Sequence, residues 1–280
     1  MKSNSVHITA NSSWWRFNWE EIADYRDLLW FLVKRDLTVI YKQTILGPLW
    51  FVIQPLVTTL VFTVIFGKVA KVPTDGVPQF VFYMTGTIMW NYFQNCLTQS
   101  GNTLIGNADI LSKVYFPRLI IPISNVFTNL AHFFLNFVLY LGFYLWFFFS
   151  SPEMRPVPEI VFFPFLVLQC AVVGLAVGLW IAALTTKYRD FRFAITFFTQ
   201  LWMYGTPIVY PASLVTSPIL QTVMWCNPMS FVVECTRVMF TGSGTVTLKT
   251  ATISIGITIF LLISGLFLFN KVQRNFVDTV

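Results

Sequence analysis

Neutral polar side chains recur at helical spacing inside segments that are otherwise apolar. The first stripe, at intervals of i, i+4, i+7 and i+11, contains Asn91, Asn95, Thr98 and Asn102, with Gln94 and Gln99 beside it. The second stripe has the same intervals and contains Asn125, Asn129, His132 and Asn136. Because an amide group that faces lipid costs free energy, each stripe is expected to face protein or water.

Two kinds of chemistry fit these stripes. A neutral conduit would use the amides as donors and acceptors for a polar substrate, whereas hydrogen bonds between helices would use the same groups for packing. The first stripe fits both interpretations equally, and the second favours helix packing. His132 is accordingly interpreted as a packing residue rather than as a ligand or a proton relay.

Aromatic side chains adjoin the first stripe in the sequence. They are Trp90, Tyr92 and Phe93 around Asn91, and Trp202 and Tyr204 in a later apolar segment. Aromatic planes bind the flat C–H faces of sugar rings without fixing their register, which would suit a conduit along which a polymer slides. The alternative is an interfacial belt, the commoner role of Trp and Tyr at the ends of membrane spans.

Motifs for several enzyme classes are absent from the sequence. It contains no GxxxxGK[ST], HExxH or CxxC, and its two histidines exclude a His-rich metal site. The acidic residues Asp109, Asp190 and Glu234 fall at the edges of apolar segments or in loops. A carrier coupled to an ion gradient usually has such groups inside its spans, so this class is disfavoured.

The composition is that of a polytopic membrane protein. The chain is 56% hydrophobic and 11% charged, whereas soluble domains average about 25% charged residues. A helix needs roughly 20 apolar residues to cross the hydrocarbon core. We therefore predict an all-α membrane protein with six transmembrane helices, at 46–67, 78–99, 119–149, 158–185, 191–211 and 249–270.

The fourth of these segments carries small residues on one face. Gly174 and Gly178 continue the four-residue spacing of Cys170 and Ala182. Such a face permits close packing against another helix.

The distribution of Lys and Arg orients the chain. With the N-terminus inside, the outer segments hold only Lys68, Lys71, Arg155, Arg237 and Lys249. Because positive residues favour the cytoplasmic side, both termini are expected there. The net charge of +6 is interpreted as a signal for orientation and for attraction to anionic membrane lipid, and no nucleic-acid partner is expected.

The chain divides into an N-terminal segment, 1–45, and a membrane domain, 46–280. Within 32–55, a basic amphipathic stretch leads into the first span. Its apolar face contains Trp30, Val33, Leu37, Ile40 and Tyr41, and its polar face contains Arg35, Thr38 and Lys42. We predict an interfacial helix that lies in the headgroup layer; the alternative is an ordinary flank whose charges only follow the positive-inside bias.

The outer segment 212–248 contains two short apolar pieces, 217–226 and 229–240, separated by Asn227-Pro228. Each is too short to cross the membrane, so a re-entrant helical hairpin is predicted, with a surface-lying amphipathic loop as the alternative. Glu234 and Arg237 stand at i,i+3 and could pair. A disulfide between Cys226 and Cys235 stays open.

Two inner loops are long or highly charged for simple turns. Residues 100–118 predict a short helix over about 102–115, which ends before Pro117, and residues 186–192 form a compact charged elbow. Both could dock a cytoplasmic partner, or could only set the topology through their charges.

The order of several short motifs resembles one known family. They are Lys34-Arg35-Asp36, the run 41–50 (YKQTILGPLW), Gln54-Pro55, Phe116-Pro117-Arg118 with Pro122, Tyr188-Arg189-Asp190, Thr206-Pro207-Ile208 with Tyr210, and Asn227-Pro228. In this order they resemble the permease subunits of ABC exporters for polysaccharides, namely O-antigen, capsule and teichoic-acid transporters.

The resemblance implies a bacterial inner-membrane subunit that pairs with a second copy of itself and with two separate ABC ATPase subunits. Its substrate would be a lipid-linked polysaccharide. ATP and Mg would be bound by the partner ATPase, so no cofactor is expected on this chain and it would not itself be an enzyme.

The resemblance also implies roles for individual residues. The substrate channel would use Gln54, Trp90, Asn91, Tyr92, Phe93, Asn95, Trp202 and Tyr204. Coupling to the ATPase would use Ile105, Asp109, Lys113, Tyr115, Arg118, Tyr188, Arg189 and Asp190. The interfacial helix would present Arg35 and Lys42, and an outer gate at about 212–245 would use Asn227, Pro228, Glu234 and Arg237.

Two other functions remain open from the sequence. One is an ABC permease of the same fold that exports a drug or a lipid. The other is a membrane-embedded transferase that acts on lipid-linked sugars, although the acidic or His cluster that it would need near the interface is not evident in the sequence.

Overall fold

The computed structural model describes residues 19–42, 47, 49–111, 113–114, 116–150, 154–188 and 190–275. These residues form helices and connecting turns, and no strand occurs among them. The α-helices are α1 (Trp19–Asp24), α2 (Arg26–Lys42), α3 (Leu49–Phe62), α4 (Gln79–Gly101), α5 (Thr103–Gly106), α6 (Ala108–Leu111), α7 (Ile120–Ser150), α8 (Phe163–Lys187), α9 (Phe191–Tyr204), α10 (Pro218–Cys226), α11 (Pro228–Thr241) and α12 (Leu248–Asn275). A π-helix (Thr63–Val69) extends α3, and 3₁₀ turns precede α8 (Pro158–Phe162) and α10 (Ala212–Leu214).

Four helices in the described part of the chain are long and apolar enough to cross a membrane. They are Leu49–Val69, Ile120–Ser150, Pro158–Lys187 and Leu248–Gln273. The predicted second and fifth spans correspond to α4 and α9, which do not meet both conditions. α4 has 23 residues but carries the amides of the first stripe. α9 has 14 residues and ends at Tyr204, short of the predicted limit at 211, because residues 205–208 continue as turns that include Thr206-Pro207.

α4 lies at the centre of the bundle, with α8 on one side and α7, α3, α9 and α11 around it. The contact with α8 depends on the predicted small residues. A Cβ atom at Gly174 would stand 2.7 Å from Cβ of Cys96, and one at Gly178 would stand 2.5 Å from Cβ of Ser100. Because only a hydrogen fits at these two positions, the axes of α4 and α8 can approach closely, as predicted.

The second polar stripe, on α7, joins helices. Asn129 donates a hydrogen bond to the side-chain oxygen Oε1 of Gln99 on α4 (2.9 Å), and Asn125 donates to the backbone carbonyl oxygen of Gln99 (3.2 Å). His132 is buried, and its ring stacks on Phe51 of α3 with the centroids 3.9 Å apart. The interpretation of this stripe as a packing feature is confirmed for these residues.

A separate apolar cluster, here called the inner apolar cluster, forms at the end of the bundle that holds the predicted inner loop 100–118. Leu32 of α2 packs there with Leu104, Phe116 and Phe269, so α2 is held against the loop that follows α4 and against the end of α12. Two residues of the predicted apolar face of α2 differ in exposure: Val33 is 5% exposed, whereas Trp30 is 60% exposed. The bundle occupies the side that bears Val33, which leaves Trp30 on the outer surface.

The polar side chains of α2 from Lys34 to Thr38 are at least partly exposed. Arg35 forms an ion pair with the adjacent Asp36 (2.7 Å), and both side chains are partly exposed. The side chains of Ile40, Tyr41 and Lys42 lie outside the described residues.

Replacing Gly178 tests the central contact. Gly178→Leu would force α4 and α8 apart, and overpacking of this kind costs about 1–3 kcal/mol. We expect a lower melting temperature of the purified protein in detergent. The matched control is Gly256→Leu on α12, where an added Cβ meets no atom within 4 Å. Equal melting temperatures for the two variants would contradict the close α4–α8 contact.

Candidate functional site

The two halves of α4 differ in how far their side chains are exposed. From Val81 to Trp90 every side chain is buried. In the following half of the helix the side chains that are not buried are Asn91, Gln94, Asn95, Thr98 and Gln99. All five are neutral and polar, and we call this set the amide face.

The amide face lies opposite the contact with α8. At 3.6 residues per turn, Asn91 and Asn95 point about half a turn away from Cys96 and Leu97, which meet the glycines of α8. α7 covers one flank, where the rings of Tyr92 and Phe133 are 5.0 Å apart. The remaining side of the helix is open, and within the described residues the side chains of Asn91 and Asn95 form no hydrogen bond.

The rest of the exposed surface of the bundle is largely apolar. Val138 of α7, Leu168 of α8 and Phe260 of α12 are each more than half exposed, as expected for side chains in contact with lipid. An amide in that environment would lose its hydrogen bonds with water without replacement. The amide face therefore borders water or another polypeptide.

The aromatic residues predicted to contact sugar lie elsewhere. Trp90 is 1% exposed and Phe93 is fully buried, and both rings pack against Trp202 of α9. Tyr92 is buried against α7. Successive residues of a helix point about 100° apart, so neighbours of Asn91 in sequence do not share its face. In this conformation a sugar ring could not stack on Trp90, Tyr92 or Phe93.

Other predicted channel residues are accessible. Gln54 of α3 and Asn95 are exposed, Asn91 and Trp202 are half-buried, and Tyr204 is 56% exposed. Gln94 and Gln99, which were predicted to lie beside the stripe, complete the amide face. The structure thus brings the amides together on one face and separates them from most of the aromatic set.

A buried ion pair stands in the outer segment. Nη1 of Arg237 is 2.5 Å from Oε2 of Glu234, and the two side chains are 1% and 0% exposed. This confirms the predicted i,i+3 pair. Arg237 also donates to the carbonyl oxygen of Pro207 (2.8 Å), and its guanidinium carbon lies 3.6 Å from the centroid of the Phe82 ring on α4.

The charges of the pair depend on each other. Burial raises the pKa of the Glu234 carboxyl, and the Arg237 guanidinium opposes this more than any other group does. The backbone N–H of Thr245 also donates to Oε1 of Glu234 (3.3 Å). Loss of Arg237 would therefore remove the main stabilisation of the buried carboxylate.

Asn227 joins α11 to the loop after α9. Its Oδ1 accepts a hydrogen bond from the backbone N–H of Met229 (3.0 Å) and so caps the helix, and its Nδ2 donates to Oγ1 of Thr206 (2.8 Å). Pro228 is buried at the first helical position. The four predicted gate residues therefore belong to one connected unit with residues 206–207.

The two predicted outer helices are present as α10 and α11, but they are buried to different extents. Nearly all of α11 is buried. Along α10, Ile219, Leu220 and Val223 are exposed, and Met224 is buried. Cys226 and Cys235 are both free thiols in this structure.

One contact of the outer segment was missed from the sequence. Ser213 donates to both carboxylate oxygens of Asp75 (3.0 and 2.9 Å), which joins the α3–α4 connection to the turn before α10. Asp75 has a φ of 50°, an uncommon conformation for a residue other than glycine. Asp75-Gly76 is a turn signal in the sequence, but it gives no indication of a partner so distant along the chain.

The first inner loop differs from its prediction. In place of one helix over 102–115, the structure has α5 and α6, each of four residues. The break lies at Asn107, whose side chain donates to the carbonyl oxygen of Thr103 (3.0 Å) and so satisfies the end of α5. Arg118 donates to the carbonyl oxygen of Gln273 on α12.

The predicted coupling residues are partly accessible. Lys113, Tyr188 and Asp190 are exposed and Ile105 is half-buried, and the neighbouring Ile110 and Val114 are also exposed. The side chains of Asp109, Tyr115 and Arg189 lie outside the described residues.

Residues 27–241 of this chain match the model of the ABC-2 type transporter family. The protein named O-antigen export system permease protein RfbA of Myxococcus xanthus is 31% identical over 213 residues, which cover 75% of this chain and 78% of that protein. Two proteins of the same name from Klebsiella pneumoniae are 29% and 27% identical over 253 residues, which cover 90% of this chain and 94% of each of them. The family match includes the amide face, both inner loops and the buried ion pair.

Replacing Arg237 tests the buried pair. Arg237→Met would leave the Glu234 carboxylate without its partner, and breaking such a pair typically costs about 3–5 kcal/mol. We expect a large fall in the melting temperature, which Glu234→Gln in the same chain should partly restore. The control is Arg26→Met, because the Arg26–Asp27 pair is exposed and should contribute little. A stable Arg237→Met single variant would contradict the role assigned to the pair.

Proposed function

Because this chain belongs to the ABC-2 type transporter family, we propose that it is the permease subunit of an ATP-driven exporter of a lipid-linked polysaccharide. The O-antigen export permeases that it resembles along most of its length support this substrate class. The observation on the chain itself that carries the proposal is the amide face of α4. Amides act as both donors and acceptors, so they can bind the hydroxyl groups of a sugar without requiring one orientation.

The substrate path is proposed to form between two copies of the chain, each of which contributes its amide face. A single copy leaves this face open on one side, and lipid is an unfavourable neighbour for it. A second copy would enclose a polar passage lined by Asn91, Asn95 and Gln94, with Gln54 and Tyr204 as further candidates. Trp90, Tyr92 and Phe93 would support this wall from behind by packing.

Six membrane crossings remain part of the proposal. α4 has 23 residues and so extends about 35 Å, enough for a hydrocarbon core of roughly 30 Å. Its low hydropathy follows from the amides that would face the path. α9 extends only about 21 Å, and residues 205–211 would complete its crossing.

The outer hairpin is proposed to enter the membrane part-way and to act as the outer gate. α11 has 14 residues, too few to cross, yet it packs against α4, α8 and α12. Backbone and charges are tolerated at membrane depth when protein surrounds them, and the Glu234–Arg237 pair has such surroundings. The links from this unit to residues 206–207 would connect gate movement to α9.

The ATPase subunits are proposed to bind at the inner loops. Ile110, Lys113 and Val114 form an exposed apolar and basic surface beside α6, and Tyr188 lies on the second loop. Movement there would reach α2 and α12 through the inner apolar cluster and through Arg118. In this arrangement the termini are cytoplasmic, the membrane is the bacterial inner membrane, and ATP and Mg are bound by the ATPase.

Removing the amides tests the proposed function. Asn91→Leu with Asn95→Leu should reduce surface polysaccharide at least about tenfold in cells that depend on this permease, because the sugar hydroxyls would lose their partners. The control is Asn91→Gln with Asn95→Gln, which keeps the amides. Copurification of the ATPase subunit should be equal in both variants. Normal export by the leucine variant would contradict the proposed path.

A further inference from the structure

The helices beside the proposed path contain long stretches without ionisable charge. No Asp, Glu, Lys or Arg occurs within 49–67, 79–108 or 193–233, which include all of α3 and α4 and most of α9. The polar groups exposed there are amides and hydroxyls, such as Asn95 on α4 and Thr196 and Gln200 on α9. The wall is therefore polar but carries no fixed charge over its length.

The charged residues nearest to this wall do not alter that property. In the outer segment, Glu234 and Arg237 are buried and paired with each other, so their fields largely cancel. The other charged residues that border these stretches in the sequence are Lys68, Asp109 and Arg192. Lys68 is exposed at the end of the π-helix that extends α3. A substrate inside the path would meet dipoles and no counter-ion.

This arrangement discriminates between two kinds of polymer. An uncharged sugar exchanges its hydrogen bonds with water for bonds with amides at little cost. A carboxylate or phosphate loses hydration and finds no cation in a region of low dielectric. A polymer with an anionic group in every repeat unit would place several such charges in the path at once, whereas the linkage to the lipid passes only once.

Given the proposed function on which this rests, we infer that the amide face selects polysaccharides whose repeat units are uncharged and rich in hydroxyl groups. Polymers with a carboxylate or a phosphate in each repeat unit are the excluded class. Asn95 is exposed at the middle of the amide face. It should therefore have the greatest influence on whether a neutral or an anionic polymer is exported. Asn91 and Gln94 are half-buried beside it.

The test uses the complete transporter in cells whose own polysaccharide exporter is deleted. The permease and its ATPase subunit are supplied with enzymes that assemble either a neutral hexose polymer or a polymer with a uronic acid in each repeat unit, on the same lipid carrier. The measured quantity is surface polymer as a fraction of total polymer. The neutral polymer should be exported about tenfold more efficiently. Equal export of the two polymers would overturn the inference, whereas export of neither would instead contradict the proposed function.

Charge variants of the permease are compared with the same ATPase subunit. Any change in the preference for one polymer then comes from the permease. Asn95→Lys should raise the ratio of anionic to neutral export about tenfold, Asn95→Asp should lower it, and Asn95→Gln should leave it unchanged. Gln94→Lys and Gln94→Asp serve if an Asn95 variant fails to assemble with the ATPase. An unchanged ratio in assembled Lys and Asp variants would overturn the inference.

Discussion

The structure depends on one constraint: an amide group in the hydrocarbon of a membrane must have a hydrogen-bonding partner. α4 satisfies this constraint by burying its apolar side chains in the bundle and directing Asn91 and Asn95 away from it. The glycines of α8 make that orientation possible, because they let α4 pack closely on the opposite side. The central helix of the bundle thereby carries amides on its accessible side, and the proposed passage between two copies would account for both properties.

The same constraint governs the outer segment. Arg237 is buried, but the Glu234 carboxylate, the Pro207 carbonyl and the Phe82 ring surround its guanidinium. Each of these partners comes from a different part of the chain, so the charge holds α11, α4 and the loop after α9 together. A gate built in this way would move as a unit, because separating any one element would leave a buried charge unpaired.

The sequence predicted those features that depend on spacing within one helix. The amide stripe, the small face of α8 and the Glu234–Arg237 pair follow from residues three or four positions apart. Features that depend on how a helix is rotated toward its neighbours were not predictable. Trp90, for example, adjoins Asn91 in sequence but faces α9. The break at Asn107 was missed for a different reason: the side chain of Asn107 forms a local hydrogen bond to the backbone of Thr103, which competes with continuation of the helix.

The central proposal, that the amide face lines a passage open to water, can be tested by thiol labelling in membranes. Asn95→Cys and Val138→Cys are compared in a chain whose Cys226 and Cys235 are replaced by Ser, coexpressed with the ATPase subunit. A charged, water-soluble methanethiosulfonate should modify the cysteine at 95 and leave the one at 138 unmodified, since Val138 lies on the apolar surface. Protection of the cysteine at 95 from this reagent in the assembled transporter would contradict the account.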